Sequence, residues 1–262
     1  MSPRRIAVII RRHLYETARN PDRIADVLFW PFLDVVTWGF FSCYLVHGGQ
    51  ASFAAPEQLV GGIALWGAFR AFQRDIAVGF LAEIWSRNIT GLFASPLRLD
   101  EYVAGLLCVN FLKIGFALFL IAFACYGLTG LPGPGLALHL LAPLAVLLCF
   151  GAAIGLFVTG LILRYSARVQ TLAYGMAGLL MPVSCVFYPL SALPAPLRAC
   201  AAILPTTRAF EAMRQTMRGQ GLPLILLLQG AAGALAALLA GLLFFHSVVR
   251  SARRSGRLLR LD

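Results

Sequence analysis

Six long apolar segments, separated by polar loops, constrain this chain more than any other feature of its sequence. They are residues 24–46, 58–81, 102–128, 136–163, 169–188 and 222–249. Each has about the 20 residues that a helix needs to cross roughly 30 Å of hydrocarbon. Because lipid cannot hydrogen-bond to the peptide backbone, a segment inside it must be a helix or part of a closed barrel. The sequence therefore predicts an all-α, polytopic membrane protein with six transmembrane helices.

The composition supports this fold class. Of the 262 residues, 60% are hydrophobic and only 13% are charged. These values exclude a disordered chain and disfavour a soluble globular one. The six segments occupy most of the sequence, so we expect a single transmembrane domain over residues 1–262.

Basic residues are concentrated on one side of the predicted membrane domain. Arginines precede the first span, lie in the loops after spans two and four, and fill the tail at 250–262. The loops after spans one and three carry no basic residue, although the loop after span five carries four. The positive-inside rule places both termini in the cytoplasm. We expect the protein to lie in the cell (inner) membrane. The net charge of +11 therefore indicates contact with anionic membrane lipids rather than with nucleic acid.

The first 20 residues have the pattern of an amphipathic helix. Ile6, Ile9, Ile10 and Leu14 share one face of a helical wheel, and arginines occupy the opposite face. Such a helix lies in the membrane interface with its arginines at the lipid phosphates. It either serves only as an anchor or also offers a docking surface to a cytoplasmic partner.

The sequence contains no recognisable metal-binding, nucleotide-binding or catalytic motif. The cysteines show no CxxC or metal-ligand spacing, and the histidines form no HExxH motif, so we expect no metal site. A Walker A loop needs a lysine after a glycine-rich turn, whereas the only lysine, Lys113, lies in the third span. No acyl-transfer triad or pair of catalytic carboxylates can be assembled. We therefore expect a non-catalytic chain that holds no cofactor.

Charged residues inside the first two spans are a candidate functional site. Asp34 and Arg70 each lie about ten residues from the cytoplasmic end of their span, or roughly 15 Å deep at 1.5 Å per residue. Charges at that depth are costly and usually paired. We expect a contact between Asp34 and Arg70, with Arg74 and Asp75 nearer the cytoplasmic surface. The pair either stabilises the structure or lines the inner mouth of a pathway.

The connection between spans five and six, residues 189–219, begins at Pro189 and is rich in proline. Arg208, Glu211 and Arg214 follow at helical spacing and form one polar stripe. We expect two short helices in an extracytoplasmic hairpin that dips into the outer leaflet. The alternative is a simple extracytoplasmic cap with a salt-bridged surface.

Three stretches of the sequence together resemble one transporter family. The stretches are Arg19-Asn20-Pro21-Asp22 with Trp30-Pro31-Phe32-Leu33-Asp34; Glu83 with Leu92-Phe93-Ala94-Ser95-Pro96-Leu97; and Met181-Pro182-Val183-Ser184-Cys185-Val186-Phe187-Tyr188-Pro189 with Leu204-Pro205-Thr206-Thr207. In this order they resemble the membrane (permease) subunit of type-2 ABC exporters, which move lipid-linked glycans, drugs and other amphiphiles. The third stretch is the most specific of the three.

The resemblance implies partners and a coupling site. Two permease copies would form the pathway, as a homodimer or a heterodimer, and two copies of a separate ATPase would bind ATP and Mg²⁺ and drive transport. Residues 82–96 would be the cytoplasmic coupling region. We expect Glu83 and Arg87 to be its polar contacts with the ATPase, and Ile84 and Ile89 its apolar ones. The stretch 87–92 departs from the Gly-Thr-Leu-Glu-like run that is usual in the family.

The dimer contact is expected through the first and fifth spans. The fifth span carries the small residues Ala173, Gly175, Ala177 and Gly178, which permit close helix approach.

Two other classes of membrane protein are alternatives to the exporter. A secondary transporter of a small amphiphile would need no ATPase, but such proteins tend to have internal repeats and paired broken helices. No internal repeat is evident in this sequence. A membrane-embedded enzyme is disfavoured because a catalytic set of residues is missing from the sequence.

Overall fold

The computed structural model describes residues 1–27, 29–47, 56–86, 91, 97–129 and 133–254. Within these ranges the chain forms ten α-helices and three short 3₁₀ turns, so the all-helical prediction is confirmed. The helices are α1 Pro3–Arg19, α2 Pro21–Val27, α3 Phe29–His47, α4 Pro56–Trp85, α5 Leu99–Thr129, α6 Gly133–Tyr165, α7 Thr171–Leu180, α8 Ala195–Ile203, α9 Pro205–Met217 and α10 Leu224–Arg254.

Three helices in the described part are long and apolar enough to cross a membrane. Their apolar stretches are Leu99–Leu120 in α5, Leu140–Tyr165 in α6 and Leu224–Ala252 in α10. They correspond to the third, fourth and sixth predicted spans. Two shorter apolar helical stretches, Phe32–Phe41 and Thr171–Val183, lie in the first and fifth. The count of six spans therefore stays a prediction.

Helix α4, which contains the second predicted span, lies at the centre of the bundle. Its 30 residues give it a length of about 45 Å. It packs against α3, α5, α6, α7 and α9, and Phe69, Phe72 and Phe80 are completely or almost completely buried. A helix that is apolar on every side is typical of such a central position. The interruptions of its apolar sequence are charged residues, which are described below.

Close approach between helices depends on glycines in α6 and α10. A Cβ atom at Gly155 would lie 2.9 Å from the Ile76 Cβ atom, and a Cβ atom at Gly241 would lie 2.7 Å from the Ala153 carbonyl oxygen. Real Cβ atoms do not make contacts this short. Glycine at these two positions therefore brings α4 and α10 directly onto α6, as small residues do in membrane helix pairs.

Part of the chain between α7 and α10 is folded into the bundle. Helix α7 has only ten residues and is followed by the 3₁₀ turn Met181–Val183. Helix α9 packs on α4, α6 and α10, with Phe210 and Met213 buried in the core. The segment 189–219 thus contains two short helices, α8 and α9. Its placement as an extracytoplasmic hairpin stays a prediction.

Candidate functional site

The amphipathic N-terminal helix α1 packs against α5. Ile9 and His13 are buried, whereas Val8 and Tyr15 on the other side are exposed. Ile9 lies so close to Gly105 that a Cβ atom there would be 2.7 Å from the Ile9 Cγ2 atom. The protein itself therefore covers part of the apolar face of α1.

Polar contacts join α1 to the first turn of α5. The backbone amide of Ser2 donates to Glu101 Oε1 at 2.7 Å, and the Arg5 guanidinium lies 3.5 Å from Glu101 Oε2. The amide of Arg98 donates to the same carboxylate at 3.0 Å. Glu101 is buried, so its carboxylate is held by these donors rather than by water.

A second contact joins α1 to the last turn of α4. The Arg12 guanidinium lies 2.8 Å from Glu83 Oε1, and the Glu83 side chain is 2% exposed. Ile84 is buried as well and belongs to the apolar core. The direct contacts that we predicted for Glu83 and Ile84 with an ATPase stay predictions, as do those of Arg87 and Ile89, which lie outside the described residues. Helix α1 therefore holds both flanks of the segment between α4 and α5.

The pKa values of His13 and Glu16 on α1 are shifted by their surroundings. Burial lowers the pKa of His13, although the carboxylate of Glu16, 3.4 Å from Nδ1, acts in the opposite direction. Burial also acts to raise the pKa of Glu16, but His13, Arg12 and Arg23 together lower it. At neutral pH His13 is therefore uncharged and Glu16 is ionised. The His13 ring also packs edge-on against Tyr102.

The predicted contact between Asp34 and Arg70 is present. The Arg70 guanidinium donates to Asp34 Oδ2 at 2.8 Å, joining α3 to α4. The two side chains are 40% and 49% exposed, so this single chain does not bury the pair. Whether the pair lines a pathway stays a prediction.

A second group of charges lies where α2, α4 and α5 meet. Asp75 accepts from Arg74 at 3.2 Å and lies 3.6 Å from the Lys113 ammonium. Arg74 also reaches Asp26 on α2, at 3.4 Å. Sequence reasoning named Arg74 and Asp75 but did not assign a role to Asp26 or Lys113. The signal for Lys113 was its position as the only lysine, in the middle of an apolar span.

These four charged residues line two neighbouring cavities. One, of about 80 Å³, is also lined by His13, Arg23 and Asn110, and we call it the polar cavity. The other, which we call the apolar groove, continues along α4 and α5. Its further lining residues are Asp34, Ile63, Ala64, Gly67, Ala68, Ala71, Ile114, Ala117 and Leu118. Both are lined by Asp26, Arg74, Asp75 and Lys113, so the two cavities adjoin at these residues.

The polar residues predicted in the connection between spans five and six are partly brought together. Glu211 accepts from the backbone amide of Leu190 at 2.9 Å and pairs with Arg214 at 3.0 Å. Arg214, itself buried, donates to the carbonyl of Cys185 at 2.8 Å. Cys185 adopts a φ of +54°, a strained conformation for a residue other than glycine. Glu211 and Arg214 thus join α9 to the segment between α7 and α8.

Arg208 contacts α10, and Pro189 immediately precedes Leu190, whose amide donates to Glu211. The Arg208 Cβ atom lies beside Gly230 of α10, 3.2 Å from where a Cβ atom on that glycine would be. Pro189 precedes the 3₁₀ turn Leu190–Ala192. The predicted stripe of three charged residues is therefore divided between an internal ion pair and a contact with α10.

Comparison with known families agrees with this arrangement. The sequence model of the family described as ABC-2 type transporter matches residues 4–217, which include α1 to α9. A search of curated proteins finds no match.

Proposed function

Because the chain belongs to the ABC-2 type transporter family, we propose that it is the permease subunit of an ATP-driven exporter. The earlier resemblance to this family is confirmed, and the membrane domain of the family is a non-catalytic transmembrane subunit. The observation that carries the proposal is the family match, which extends over residues 4–217. The exporter would move an amphiphile, such as a lipid-linked glycan, a drug or a lipid, out of the cytoplasm.

A separate ATPase would supply the energy. The sequence has no Walker A lysine, which supports placing ATP and Mg²⁺ on a partner chain. Two ATPase copies would act on two permease copies in the cell membrane. Each permease would have six spans, cytoplasmic termini and an extracytoplasmic hairpin at 189–219.

The coupling region would lie at 82–96, between α4 and α5. Glu83 lies at the start of this region and Glu101 lies just beyond its end; both carboxylates are buried and are held by α1. We therefore assign Glu83 the role of a positioning residue, which fixes the end of α4 relative to α1. A force applied by the ATPase between the flanks would reach α1, α4 and α5 together. This arrangement also gives α1 a function beyond that of an anchor.

One observation favours a second candidate function. Charged residues inside membrane helices, such as Asp75 and Lys113, frequently serve ion or proton pathways. A secondary transporter without an ATPase would use them in that way. In the exporter, these charged residues would bind a ligand or stabilise the helix bundle.

Purification separates the two functions. The chain would be expressed with and without the ATPase encoded by neighbouring genes, and then isolated through a tag on the permease. We expect the ATPase to co-purify and its ATP hydrolysis to change on assembly. Isolation of a stable transporter that binds no ATPase would contradict the exporter.

A further inference from the structure

Two residues that line the polar cavity between α1, α2, α4 and α5 each have a buried polar atom without a hydrogen-bond partner. The two atoms are Nδ2 of Asn110 and Nε2 of His13, and no described residue pairs with either atom. Asn110 is 1% exposed and His13 is 4% exposed. Leaving a buried polar atom unpaired costs free energy, so such atoms usually have a ligand or water as their partner.

The two atoms need different hydrogen-bond partners. The Asn110 amide nitrogen is a donor and needs an acceptor. Nδ1 of His13 faces the Glu16 carboxylate and therefore carries the ring proton. In the neutral ring, Nε2 is then an acceptor and needs a donor. A ligand that satisfies both must carry an acceptor and a donor.

The charges around the cavity are balanced. The cations of Arg74 and Lys113 stand beside the carboxylates of Asp26 and Asp75. Arg23, which also lines the cavity, is paired with Glu16 at 2.9 Å. A zwitterion fits this balance better than a simple anion, because its negative group can face Lys113 while its positive group faces the carboxylates.

The apolar groove adds an apolar half to the same site. Along α4 it is lined by Ala64, Gly67 and Ala71, which lie on one face of the helix. A Cβ atom at Gly67 would meet nothing within 4 Å, so the groove is open there. A polar end joined to an apolar channel matches a lipid rather than a soluble phosphate ester.

We propose that this site binds a phospholipid with a phosphoethanolamine headgroup. The phosphate accepts from Asn110 and Lys113, the primary ammonium donates to His13 and faces Asp26, and an acyl chain lies along the apolar groove. The phosphate supplies the acceptor and the ammonium supplies N–H donors. The proposal does not depend on the direction of transport or on the ATPase.

Lipid binding to the purified, delipidated chain tests the proposal. Phosphatidylethanolamine, phosphatidylcholine, phosphatidylglycerol and soluble phosphoethanolamine are compared by native mass spectrometry and by thermal unfolding. Phosphatidylcholine has the same phosphate but lacks N–H donors, and phosphatidylglycerol has no cation. We expect phosphatidylethanolamine to bind most tightly and to raise the unfolding temperature most, because a ligand that binds only the folded state stabilises it. Soluble phosphoethanolamine should leave that temperature unchanged.

Variants of Asn110 and Gly67 test the two halves of the site. Asn110→Leu should weaken phosphatidylethanolamine binding about tenfold, the loss of one hydrogen bond to a charged group. Without lipid it should unfold at the same temperature as the wild type or higher, because an unpaired amide has been removed. The control Thr159→Val changes a buried hydroxyl group on α6 that bonds to the Gly155 carbonyl, outside the cavity, and should not change lipid binding.

Gly67→Leu should block the groove and weaken lipid binding. Gly115→Leu, at another open position outside the groove, should not. Equal binding of phosphatidylcholine and phosphatidylethanolamine would overturn the proposal, as would tighter binding of phosphatidylglycerol. Stabilisation by soluble phosphoethanolamine alone, or unchanged lipid binding in both Asn110→Leu and Gly67→Leu, would overturn it too.

Discussion

The Arg12 guanidinium on α1 and the Glu83 carboxylate at the end of α4 lie 2.8 Å apart, and only Arg12 has substantial exposure to solvent. The side chain of Glu83 is 2% exposed and that of Arg12 is 41% exposed. This ion pair joins the N-terminal helix to one flank of the proposed coupling region. The other flank is joined to the same helix through Glu101.

Removal of Arg12 should uncouple the exporter more than removal of Glu83. Arg12→Gln takes the cation away from a buried carboxylate, whereas Glu83→Gln leaves an arginine that water can reach. We expect Arg12→Gln to weaken the docking of α1 by about 1–3 kcal/mol, less than in a fully buried pair because Arg12 is half-exposed. Permease-dependent ATP hydrolysis and export should fall in the same order.

The control for this prediction is Arg11→Gln, which removes the same charge from the neighbouring position. Arg11 lies over the ring of Tyr15. Coupling in Arg11→Gln should equal that of the wild type. If Arg11→Gln reduced coupling as much as Arg12→Gln, the net charge of α1, and not the ion pair, would determine coupling.

Alanine at two glycines of α5 should have opposite effects. Gly105→Ala places a methyl group against Ile9 and should displace α1, whereas Gly115→Ala meets nothing within 4 Å. Alanine is the better helix former by about 1 kcal/mol, so Gly115→Ala should be neutral or stabilising. Hydrogen exchange of the α1 amides should rise in Gly105→Ala only. Equal protection of α1 in both variants would contradict its docking on α5.

The docking of α1 should weaken as the pH falls below about 6.5, the ordinary pKa of histidine. Burial lowers the pKa of docked His13 below that value. In this range the undocked helix therefore binds a proton that the docked helix does not, and stability is lost as the pH decreases. Glu16 stays ionised through this window because its own pKa is lowered from the ordinary 4.5.

Hydrogen exchange of α1 at pH 7.5, 6.5 and 5.5 measures this effect. The groups that act on His13 from its surroundings are Glu16, Arg12, Glu83 and Lys113, all unchanged in the variant His13→Phe. That variant keeps an aromatic ring beside Tyr102 and should lose the pH dependence over this range. The same pH dependence in His13→Phe would assign it to another group.

Disulfide crosslinking tests the proposed contact between permease copies. Gly175 and Gly178 on α7 have open space where a Cβ atom would be, so cysteine fits at both positions. The exposed native cysteines Cys108 and Cys200 are replaced first. We expect Gly175→Cys or Gly178→Cys to crosslink two permeases in membranes. Failure there, with efficient crosslinking through α5 or α6, would place the interface elsewhere.

The pair Asp34–Arg70 could be predicted from the sequence because the depth of a residue in the membrane follows from its position along a predicted span. Both residues lie about the same distance from the cytoplasmic ends of adjacent spans, and an unpaired charge at that depth is costly. The contact therefore follows from the sequence once the two spans are neighbours. The same reasoning named Arg74 and Asp75, which the structure joins to Asp26 and Lys113.

The position of α1 could not be derived in this way. The amphipathic pattern predicts that one face is covered by apolar material, but lipid and protein satisfy the pattern equally well. The contacts of Ile9 with Gly105 and of Arg12 with Glu83 depend on the packing of distant segments. The polar cavity escaped prediction for the same reason, because His13 and Asn110 lie on separate helices and neither residue has a motif of its own.

Transport into inside-out proteoliposomes tests the central claim most directly. The vesicles contain the permease with its ATPase, and the uptake of labelled lipids, drugs and lipid-linked glycans is measured. We predict that ATP drives the uptake of at least one of these amphiphiles, that a non-hydrolysable analogue does not, and that ionophores leave the uptake unchanged. Uptake that continues without nucleotide and without the ATPase, and that stops when ionophores collapse the ion gradients, would contradict the account.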